Sequence, residues 1–366
     1  MHALVTKTSL SVDDAEDRLR EVMAHLAEHD FQVDEKQGVW RLTYQTGQGV
    51  LWVEQSTIHA EARADGMELL HDLKMMIAGH LIEFCDPDRA PLVWLGDGAG
   101  LARPPAFRVL TVQEVHELGP HFRRIRFGSQ DLQRYGQEDN LHCKLMFPQP
   151  GVSEPEWPTL NESGLPRLPQ GEKRLDLRTY TIRRIDAAQQ WLDIDFVLHD
   201  DAGPGSRWAA QARRGQLIGM TGPGGRTASL ADRMVLAGDE TAVPAMARIA
   251  EALPDNTACR VLAEVAGPDD ELDLSLPVGV QWTWLHRGAC AAGESSLLRE
   301  RFEALDWESV LGQSGESRFV WLGAEFATVQ HLRNWARETL KLEKREQLMV
   351  AYWRNGLSEH EFKQRA

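Results

Sequence analysis

The first ninety residues combine two kinds of hydrophobic pattern. Apolar side chains recur at helical spacing from Leu19 to Leu26 and again from Leu69 to Phe84. Between these stretches, the segments VWRLTY, GVLWVE and IHAEAR alternate apolar and polar side chains, as half-buried strands do. The pattern predicts a small α+β domain over residues 1–90.

The middle of the chain follows another pattern. Residues 91–105 are rich in glycine and proline and predict a linker. From residue 106 to residue 231, short strand-like segments follow one another with little helical periodicity: FRVLTVQEV, FRRIRF, HCKLMF, TYTIRRI, WLDIDFVLH and GQLIGMTG. Such a series predicts a small antiparallel β-barrel.

The last third of the chain, residues 232–366, alternates apolar strands such as RMVLAG and RFVWLG with helical segments such as PAMARIAEAL. This alternation predicts a parallel sheet flanked by helices. The chain is therefore expected to be multidomain, with a small α+β domain, a linker, an antiparallel barrel and an α/β domain.

Composition narrows the class of protein. With 42% apolar and 26% charged residues, the 366-residue chain is typical of soluble globular proteins. Its net charge of −15 argues against general binding to nucleic acid. No apolar run approaches the length of a membrane span, and the N-terminus lacks the apolar core of a secretory signal. We therefore expect a cytoplasmic protein without membrane attachment.

The charge is unevenly distributed along the chain. Residues 101–230 carry 17 Lys and Arg against 15 Asp and Glu, whereas the flanking parts are acidic. A slightly positive middle suits an anionic ligand, although exposed arginines that serve solubility alone would give the same count. The four cysteines are far apart and form no CxxC spacing, which favours neither a disulfide framework nor an iron–sulfur cluster. Any redox chemistry needs another carrier.

The heptapeptide RTYTIRR, residues 178–184, carries three arginines around Tyr180 and Thr181. One interpretation is an edge strand with a solvated basic face. The other is an anion-binding strand, in which cations meet phosphate groups and the aromatic side chain meets a flat ring. Further along, DFVLHDDAGPGSRWA joins a strand to a glycine-rich turn and a predicted helix, whose first backbone N–H groups favour phosphate.

No GxGxxG fingerprint follows a strand, so a simple Rossmann dehydrogenase is not expected. The segment GDETAVPAM instead places Thr241 where a strand ends and a helix begins, which is where such sheets bind ligands. The alternative is an ordinary helix N-terminus. His25 and His29 have a helical spacing that can bind a metal, but no cysteine or HExxH motif accompanies them, and we expect no metal site.

The segments RTYTIRR, DFVLHDDAGPGSRWA, GPGG, LAGDETAVPAM and AYWRNG occur in this order at characteristic intervals. Together they resemble the siderophore-interacting protein family of FAD-dependent ferric-siderophore reductases. The resemblance covers roughly residues 105–360 and implies a ferredoxin-reductase-like fold, FAD, NADH or NADPH as electron donor, and a ferric siderophore as substrate. Residues 1–90 resemble, more loosely, a small domain of unknown function that some family members carry upstream.

The candidate cofactor site has ten residues, namely Arg178, Tyr180, Thr181, Arg183, His199, Gly203, Gly205, Ser206, Trp208 and Thr241. The resemblance implies all of them except Arg183 and Trp208, which are candidates from their positions in RTYTIRR and at the start of the predicted helix. In this site Tyr180 lies against the flavin ring and Arg178 near phosphate. His199 and the turn that follows it, with Gly203, Gly205 and Ser206, would hold the adenine-side phosphates or the ribityl chain, and Thr241 would approach the isoalloxazine. Here the chain has GPGS where GPAS is commoner, so Gly205 adds flexibility to this turn while the backbone donors remain.

The resemblance also implies a basic substrate site. Ferric siderophores hold Fe(III) with hard oxygen donors and are often anionic, so a reductase needs cations beside the flavin edge. The candidates are Lys144 in HCKLMF, Arg226 after GPGG and Arg354 in AYWRNG. Each of them is otherwise explained as a solvated surface cation. No catalytic acid, base or nucleophile is expected, because electrons pass through FAD.

The functional expectation is a cytoplasmic enzyme that passes electrons from NAD(P)H through FAD to siderophore-bound Fe(III) and so releases Fe(II). Two alternatives stay open. One is a flavin-type reductase for another acceptor, and the other is a non-catalytic siderophore-binding or iron-delivery protein.

Overall fold

The computed structural model describes residues 3–28, 31–85, 92–136, 141–199, 203–224, 227–312, 317–357 and 361. Its residues group into two compact units, which are each continuous in space but not in sequence. The first unit comprises Met1–Phe107 and Gln149–Leu175, and the second comprises Arg108–Pro148 and Asp176–Ala366.

The elements are numbered in chain order. The first part contains β1 (Leu4–Ser11), α1 (Ala15–Glu28), β2 (Gln32–Lys36), β3 (Val39–Tyr44), β4 (Gly47–Glu54), β5 (Thr57–Ala64), α2 (Met67–Phe84) and β6 (Leu95–Gly96). The middle contains β7 (Arg108–Glu117), β8 (Phe122–Gly128), β9 (His142–Pro148), β10 (Thr159–Leu160), β11 (Pro166–Arg167), β12 (Leu175–Thr181), β13 (Arg184–Asp186), β14 (Trp191–Val197), α3 (Pro204–Ala210) and β15 (Leu217–Gly224). The last part contains β16 (Arg233–Gly238), α4 (Val243–Glu251), β17 (Ala258–Val265), β18 (Val280–His286), α5 (Leu297–Glu303), α6 (Trp307–Leu311), β19 (Arg318–Glu325), α7 (Phe326–Thr339) and β20 (Gln347–Trp353).

The first unit is an antiparallel sheet with two helices packed on it. The strand order is β2-β3-β4-β5-β1-β6. The buried side chains of α1, including Leu19, Val22, Met23 and Leu26, share one hydrophobic core with the apolar stripe of α2. The predicted α+β domain and its three alternating strands are thus present, because each strand turns every second side chain toward the two helices.

The first unit also contains a segment that belongs, by chain order, to the barrel. Between β9 and β12 the chain leaves the barrel for 27 residues, Gln149–Leu175, and forms the short hairpin β10–β11. At its tip the Ser163 carbonyl accepts a hydrogen bond from Trp94 Nε1 at 3.0 Å, and His71 Nε2 lies 3.1 Å from the Gly164 oxygen. Leu165 packs against the hydrophobic core of the first unit. The range 106–231 predicted for the barrel did not separate this segment.

The barrel lies in the second unit and has the strand order β12-β9-β15-β7-β8-β14-β13. The strands β12 and β13 are consecutive in the chain but occupy opposite edges of this sheet. The Ile182 amide donates to the Leu141 carbonyl beside β9, whereas the Arg183 amide donates to the Asp193 carbonyl on β14. The segment RTYTIRR therefore closes the barrel, and Ile182 is fully buried where it passes from one edge to the other.

The remainder of the second unit is a five-stranded parallel sheet of order β18-β17-β16-β19-β20. Its two faces are covered by separate hydrophobic clusters, one with α4 and the other with α5, α6 and α7. This layering is the predicted α/β domain, in which helices between parallel strands cover both faces. Among the described residues, no helix is both long and apolar enough to cross a membrane.

Candidate cofactor site

The motif residues on strand β12 differ in their exposure to solvent. Arg178 and Tyr180 are half-buried, whereas Thr181 is buried. The Arg178 guanidinium donates from Nη1 to the Leu177 carbonyl at 2.7 Å. Since Arg178 and Tyr180 are two residues apart, they lie on the same face of the strand, with a cation and an aromatic ring side by side.

Aromatic side chains surround Tyr180 inside the barrel. Its ring centroid lies 4.6 Å from that of Phe196 and 6.1 Å from that of Phe147. Trp208 on α3 continues the cluster at 5.5 Å from Phe147 and stacks on Phe127 at 6.1 Å. Trp208 was predicted to contact the cofactor, and the structure places it among these core aromatics.

The glycine-rich turn approaches Tyr180 closely. A Cβ atom added to Gly205 would lie 2.2 Å from the Tyr180 hydroxyl oxygen and 3.1 Å from the nearer ring carbons. With Tyr180 in this position, an alanine at residue 205 would require one of the two residues to shift. The Ser206 Oγ accepts a hydrogen bond from the His199 amide at 3.3 Å, which ties the start of α3 to the end of β14.

These residues fit FAD. A flavin dinucleotide needs donors for its pyrophosphate, an aromatic contact for its ring and room for the backbone to approach. The N-cap of α3 is Gly203, and among the described residues no side chain caps the helix, so the backbone N–H groups that follow Pro204 are not occupied by a described cap. The closely packed Gly205 permits backbone approach, Arg178 supplies a cation, and Tyr180 supplies the ring.

Thr181 makes a contact that the sequence did not predict. Its Oγ1 lies 3.3 Å from Nδ1 of His142 on β9, and the other ring nitrogen of His142 lies 3.0 Å from the hydroxyl of Tyr352 on β20. Burial, with a smaller contribution from the Arg248 charge, lowers the pKa of His142 to about 4. Burial also raises the pKa of Tyr352. Both side chains are neutral at pH 7.

Arg183 has a different environment from the one predicted. It is 1% exposed, and its two terminal nitrogens donate to both carboxylate oxygens of Glu251 on α4 at 2.6 and 2.7 Å. A guanidinium whose fork is engaged by a carboxylate is not available to a phosphate group. This corrects the assignment of Arg183 to the cofactor site, and the ion pair joins the barrel to the α/β domain.

Thr241 lies in a network at the carboxyl end of β16. Its backbone N–H and its hydroxyl donate to Asp239 Oδ1 at 3.0 and 2.5 Å. The second carboxylate oxygen of Asp239 accepts from Trp353 Nε1 at 2.9 Å and from the Glu325 amide at 2.8 Å. Burial raises the pKa of Asp239, although these hydrogen bonds oppose the change. The Thr241 hydroxyl thus has an acceptor within its own loop.

The strand ends of the parallel sheet are acidic. Glu240 accepts two hydrogen bonds from Arg287 at 2.8 and 3.0 Å, yet burial and the nearby Asp239 charge raise its pKa to about 7. Glu264 accepts from Ser295 Oγ at 3.1 Å, and burial raises its pKa as well. Ligands of such sheets bind at the carboxyl ends of the strands, so these carboxylates belong to the region where a dinucleotide donor is expected.

The structure locates two of the three predicted substrate cations. Lys144 lies on β9, two residues after His142, and Arg354 follows β20, two residues after Tyr352. The hydrogen bond between His142 and Tyr352 therefore brings together the two segments that carry these cations. The Arg354 guanidinium lies 4.6 Å from the centre of the Phe326 ring. Arg226 lies outside the described residues.

His142 and Tyr352 were missed for a simple reason. Each lies two residues before one of the predicted substrate cations, and alternation along β9 places His142 on the same strand face as Lys144. Alternation does not relate Tyr352 to Arg354, because β20 ends at Trp353 and its pairing with β19 is irregular at Tyr352. The contact of His142 with Tyr352 could not be predicted from local pattern, because the two residues are 210 positions apart in the sequence.

Family models match almost the whole chain. Residues 111–227 match a siderophore-interacting FAD-binding domain, and residues 231–356 match the siderophore-interacting protein model. Residues 7–95 match a domain described as an uncharacterized protein conserved in bacteria.

Comparison with individual proteins also shows similarity to siderophore-interacting proteins. The ferric vibriobactin reductase of Vibrio cholerae is 29% identical over 266 residues, which cover 70% of this chain and 92% of that protein. The crystal structure of a siderophore-interacting protein from Aeromonas hydrophila is 33% identical with a TM-score of 0.60, covering 71% of this chain and 96% of that one. A cytochrome P450 reductase from Amycolatopsis, 17% identical with a TM-score of 0.50 over 72% and 76% of the two chains, shares the fold.

These comparisons confirm the ferredoxin-reductase-like fold, the FAD-binding domain and the upstream small domain. They support an oxidoreductase.

Proposed function

Because the chain belongs to the siderophore-interacting protein family, we propose that it is an NAD(P)H-dependent ferric-siderophore reductase of the cytoplasm. One observation carries the proposal most directly. The contact of His142 with Tyr352 supports a single basic cleft formed by the strand of Lys144 and the segment of Arg354, next to the flavin-binding motif of Thr181.

Bound FAD would supply the chemistry that the side chains lack, which is to accept a hydride and release single electrons. The chain's own residues bind and orient the reactants. Arg178 offsets phosphate charge, and the aromatic cluster around Tyr180 excludes water from one side of the site. Lys144 and Arg354 attract an anionic ferric chelate. Fe(II) binds hard oxygen donors less strongly than Fe(III) does, so reduction of the chelated Fe(III) releases the metal.

The similarity to ferric vibriobactin reductase supports a ferric chelate as substrate, in which hard oxygen donors hold the Fe(III). The remaining assignments are part of the same proposal. They are the cofactor residues other than Arg183, the three substrate cations, and the domain ranges 1–90, 106–231 and 232–366 with the linker 91–105, where the barrel range is proposed without the excursion Gln149–Leu175.

The proposal is tested on the purified full-length protein. Absorption near the flavin maxima should show co-purified FAD, and anaerobic mixing with NADH or NADPH should bleach it. Stopped-flow reoxidation is then compared for a ferric catecholate, a ferric hydroxamate and a quinone. Reoxidation fastest with a ferric chelate supports the proposal. Faster reoxidation by the quinone would favour a reductase for another acceptor, and a flavin-free protein that binds ferric chelates would favour iron delivery.

A further inference from the structure

Three polar side chains form a line across the second unit. Thr181 on β12 contacts His142 on β9 at 3.3 Å, and His142 contacts Tyr352 on β20 at 3.0 Å. The rings of His142 and Tyr352 meet edge to face, with centroids 5.5 Å apart and an interplanar angle of 85°. The line begins at the flavin-binding motif and ends on the last strand of the parallel sheet.

The line can carry hydrogen bonds in only two directions. A neutral imidazole has one N–H and one acceptor nitrogen, so His142 donates to one neighbour and accepts from the other. In the first direction Tyr352 donates to Nε2, and Nδ1–H donates to Thr181. In the second direction Thr181 donates to Nδ1, and Nε2–H donates to the Tyr352 oxygen.

The two directions differ in which hydroxyl group, that of Tyr352 or that of Thr181, has a proton with no acceptor within the line. In the second direction the Tyr352 proton needs another acceptor, and the ring packed beside the phenol is Trp321, at 6.0 Å and 89°. In the part of the chain that the structure describes, His142 is the hydrogen-bond partner of the Tyr352 hydroxyl. In the first direction the free proton is that of Thr181, which is 5% exposed and belongs to the motif that binds the cofactor. A buried hydroxyl proton without an acceptor costs free energy, and only at Thr181 can a cofactor accept it.

We propose that Tyr352 and His142 are positioning residues that fix Thr181 as a hydrogen-bond donor to the bound flavin. The inference rests on the proposed function, because it needs a flavin at Thr181. It adds that a residue of the nicotinamide-side domain sets the hydrogen-bonding direction at the flavin site.

The test is a double-mutant cycle on the full-length protein with FAD affinity as the readout. Thr181→Val, Tyr352→Phe and the double variant are compared by fluorescence titration of FAD. Each single substitution should weaken FAD binding roughly fivefold, as expected for one hydrogen bond. The double variant should bind no more weakly than the weaker single variant, because both changes remove the same donor. Additive losses, or an unchanged Tyr352→Phe protein, would overturn the proposal.

Trp353→Phe is the matched control. It removes an aromatic hydrogen-bond donor from the neighbouring position of the same strand, but its partner is Asp239 and not His142. Combined with Thr181→Val, it should show additive effects. Non-additivity here as well would mean that any change in β20 disturbs the site, and would overturn a specific role for Tyr352.

A second readout does not depend on FAD affinity. With ¹⁵N-labelled histidine, NMR distinguishes the two neutral tautomers of His142, and the proposal requires the proton on Nδ1. A proton on Nε2 would overturn it. Failure of the wild-type protein to bind FAD would overturn the proposed function together with this inference. Normal FAD binding with the Nε2 tautomer or an additive cycle would overturn this inference alone.

Discussion

Arg183 and Glu251 join the barrel to the first helix of the α/β domain through two parallel hydrogen bonds of 2.6 and 2.7 Å. Asp195 stands on the other side of the guanidinium, at 3.8 Å from Nε. A second link runs from Arg248 Nη1 to the Ile182 carbonyl at 2.8 Å. The segment that closes the barrel is thus also the segment that holds the sheet domain.

Replacing Arg183 with alanine should destabilise the second unit by about 3 kcal/mol or more, because it leaves the Glu251 carboxylate without its ion-pair partner. Asp195 keeps its two hydrogen bonds from Arg124 in this variant. Urea unfolding followed by tryptophan fluorescence measures the loss. Arg345→Ala is the matched control, since Arg345 pairs with Glu343 while its side chain is 83% exposed. It should leave the midpoint nearly unchanged. Equal midpoint shifts in the two variants would contradict the structural role of Arg183.

Acid should weaken this link in a defined pH range. Burial alone would raise the pKa of Glu251, but its hydrogen bonds and charge interaction with Arg183 outweigh burial and lower it. A carboxyl group whose pKa is lower in the folded state adds stability above its unfolded pKa, and this stability disappears as pH falls through the folded pKa. The stability difference between wild type and Glu251→Gln should therefore be full at pH 7 and shrink below about pH 4.5. Chemical unfolding at several pH values measures it, and a constant difference would refute the prediction.

Gly205→Ala should disturb the cofactor site through Tyr180. The new methyl group would lie 2.2 Å from the Tyr180 hydroxyl oxygen, so one of the two residues must move, at a cost of about 1–3 kcal/mol. FAD affinity and thermal stability should both fall. Tyr180→Phe in the same protein should recover part of the stability, because it removes the nearest atom. Gly203→Ala is the control, since no described atom outside its chain neighbours lies within 4 Å of its added Cβ. A Gly205→Ala protein as stable as Gly203→Ala would show that the turn is not packed as described.

Arg178→Ala should weaken FAD binding about tenfold or more, as expected when a charge-assisted contact to phosphate is lost. The fold should survive, because Arg178 is half-buried and its described hydrogen bond goes to a carbonyl of its own strand. Arg184→Ala tests the effect of removing an exposed arginine from the same motif. Equilibrium dialysis with FAD compares the two. Equal retention of FAD by both variants would remove Arg178 from the phosphate site.

The double variant Lys144→Ala/Arg354→Ala should raise the KM for an anionic ferric chelate and leave flavin reduction by NAD(P)H nearly unchanged. The two cations would steer the chelate in an otherwise acidic protein, so the effect should be larger at low salt than at high salt. Stopped-flow traces of the reductive and oxidative half-reactions separate the two steps. If the double variant is reoxidised as fast as wild type at low salt, neither cation belongs to the substrate site.

The sequence predicted what depends on local pattern. Alternation in VWRLTY and helical spacing from Leu19 to Leu26 gave the correct elements, because a strand or helix that buries one face shows its period directly. The order of the three folded regions was also predicted correctly, because the strand and helix patterns of the chain change at the boundaries between these regions.

The sequence could not assign roles that depend on distant partners. Arg178 and Arg183 are the same residue type in one heptapeptide, and only Glu251, 68 residues from Arg183, distinguishes them. The same limit applies to His142 and Tyr352, whose contact spans 210 residues. The hairpin tip around Gly164 has no periodicity at all, and its destination is set by hydrogen bonds to His71 and Trp94.

The hairpin β10–β11 determines which segments of the chain can be replaced together in a chimera with a related protein. The chain passes from one compact unit to the other three times, after Phe107, after Pro148 and after Leu175. A chimera that replaces only residues 1–90 would keep Leu165 and the Gly164 tip but lose the helix α2 against which they are held. The upstream domain is therefore not a detachable module of one segment. It can be transplanted only as a matched pair of segments, the N-terminal one and the excursion between β9 and β12.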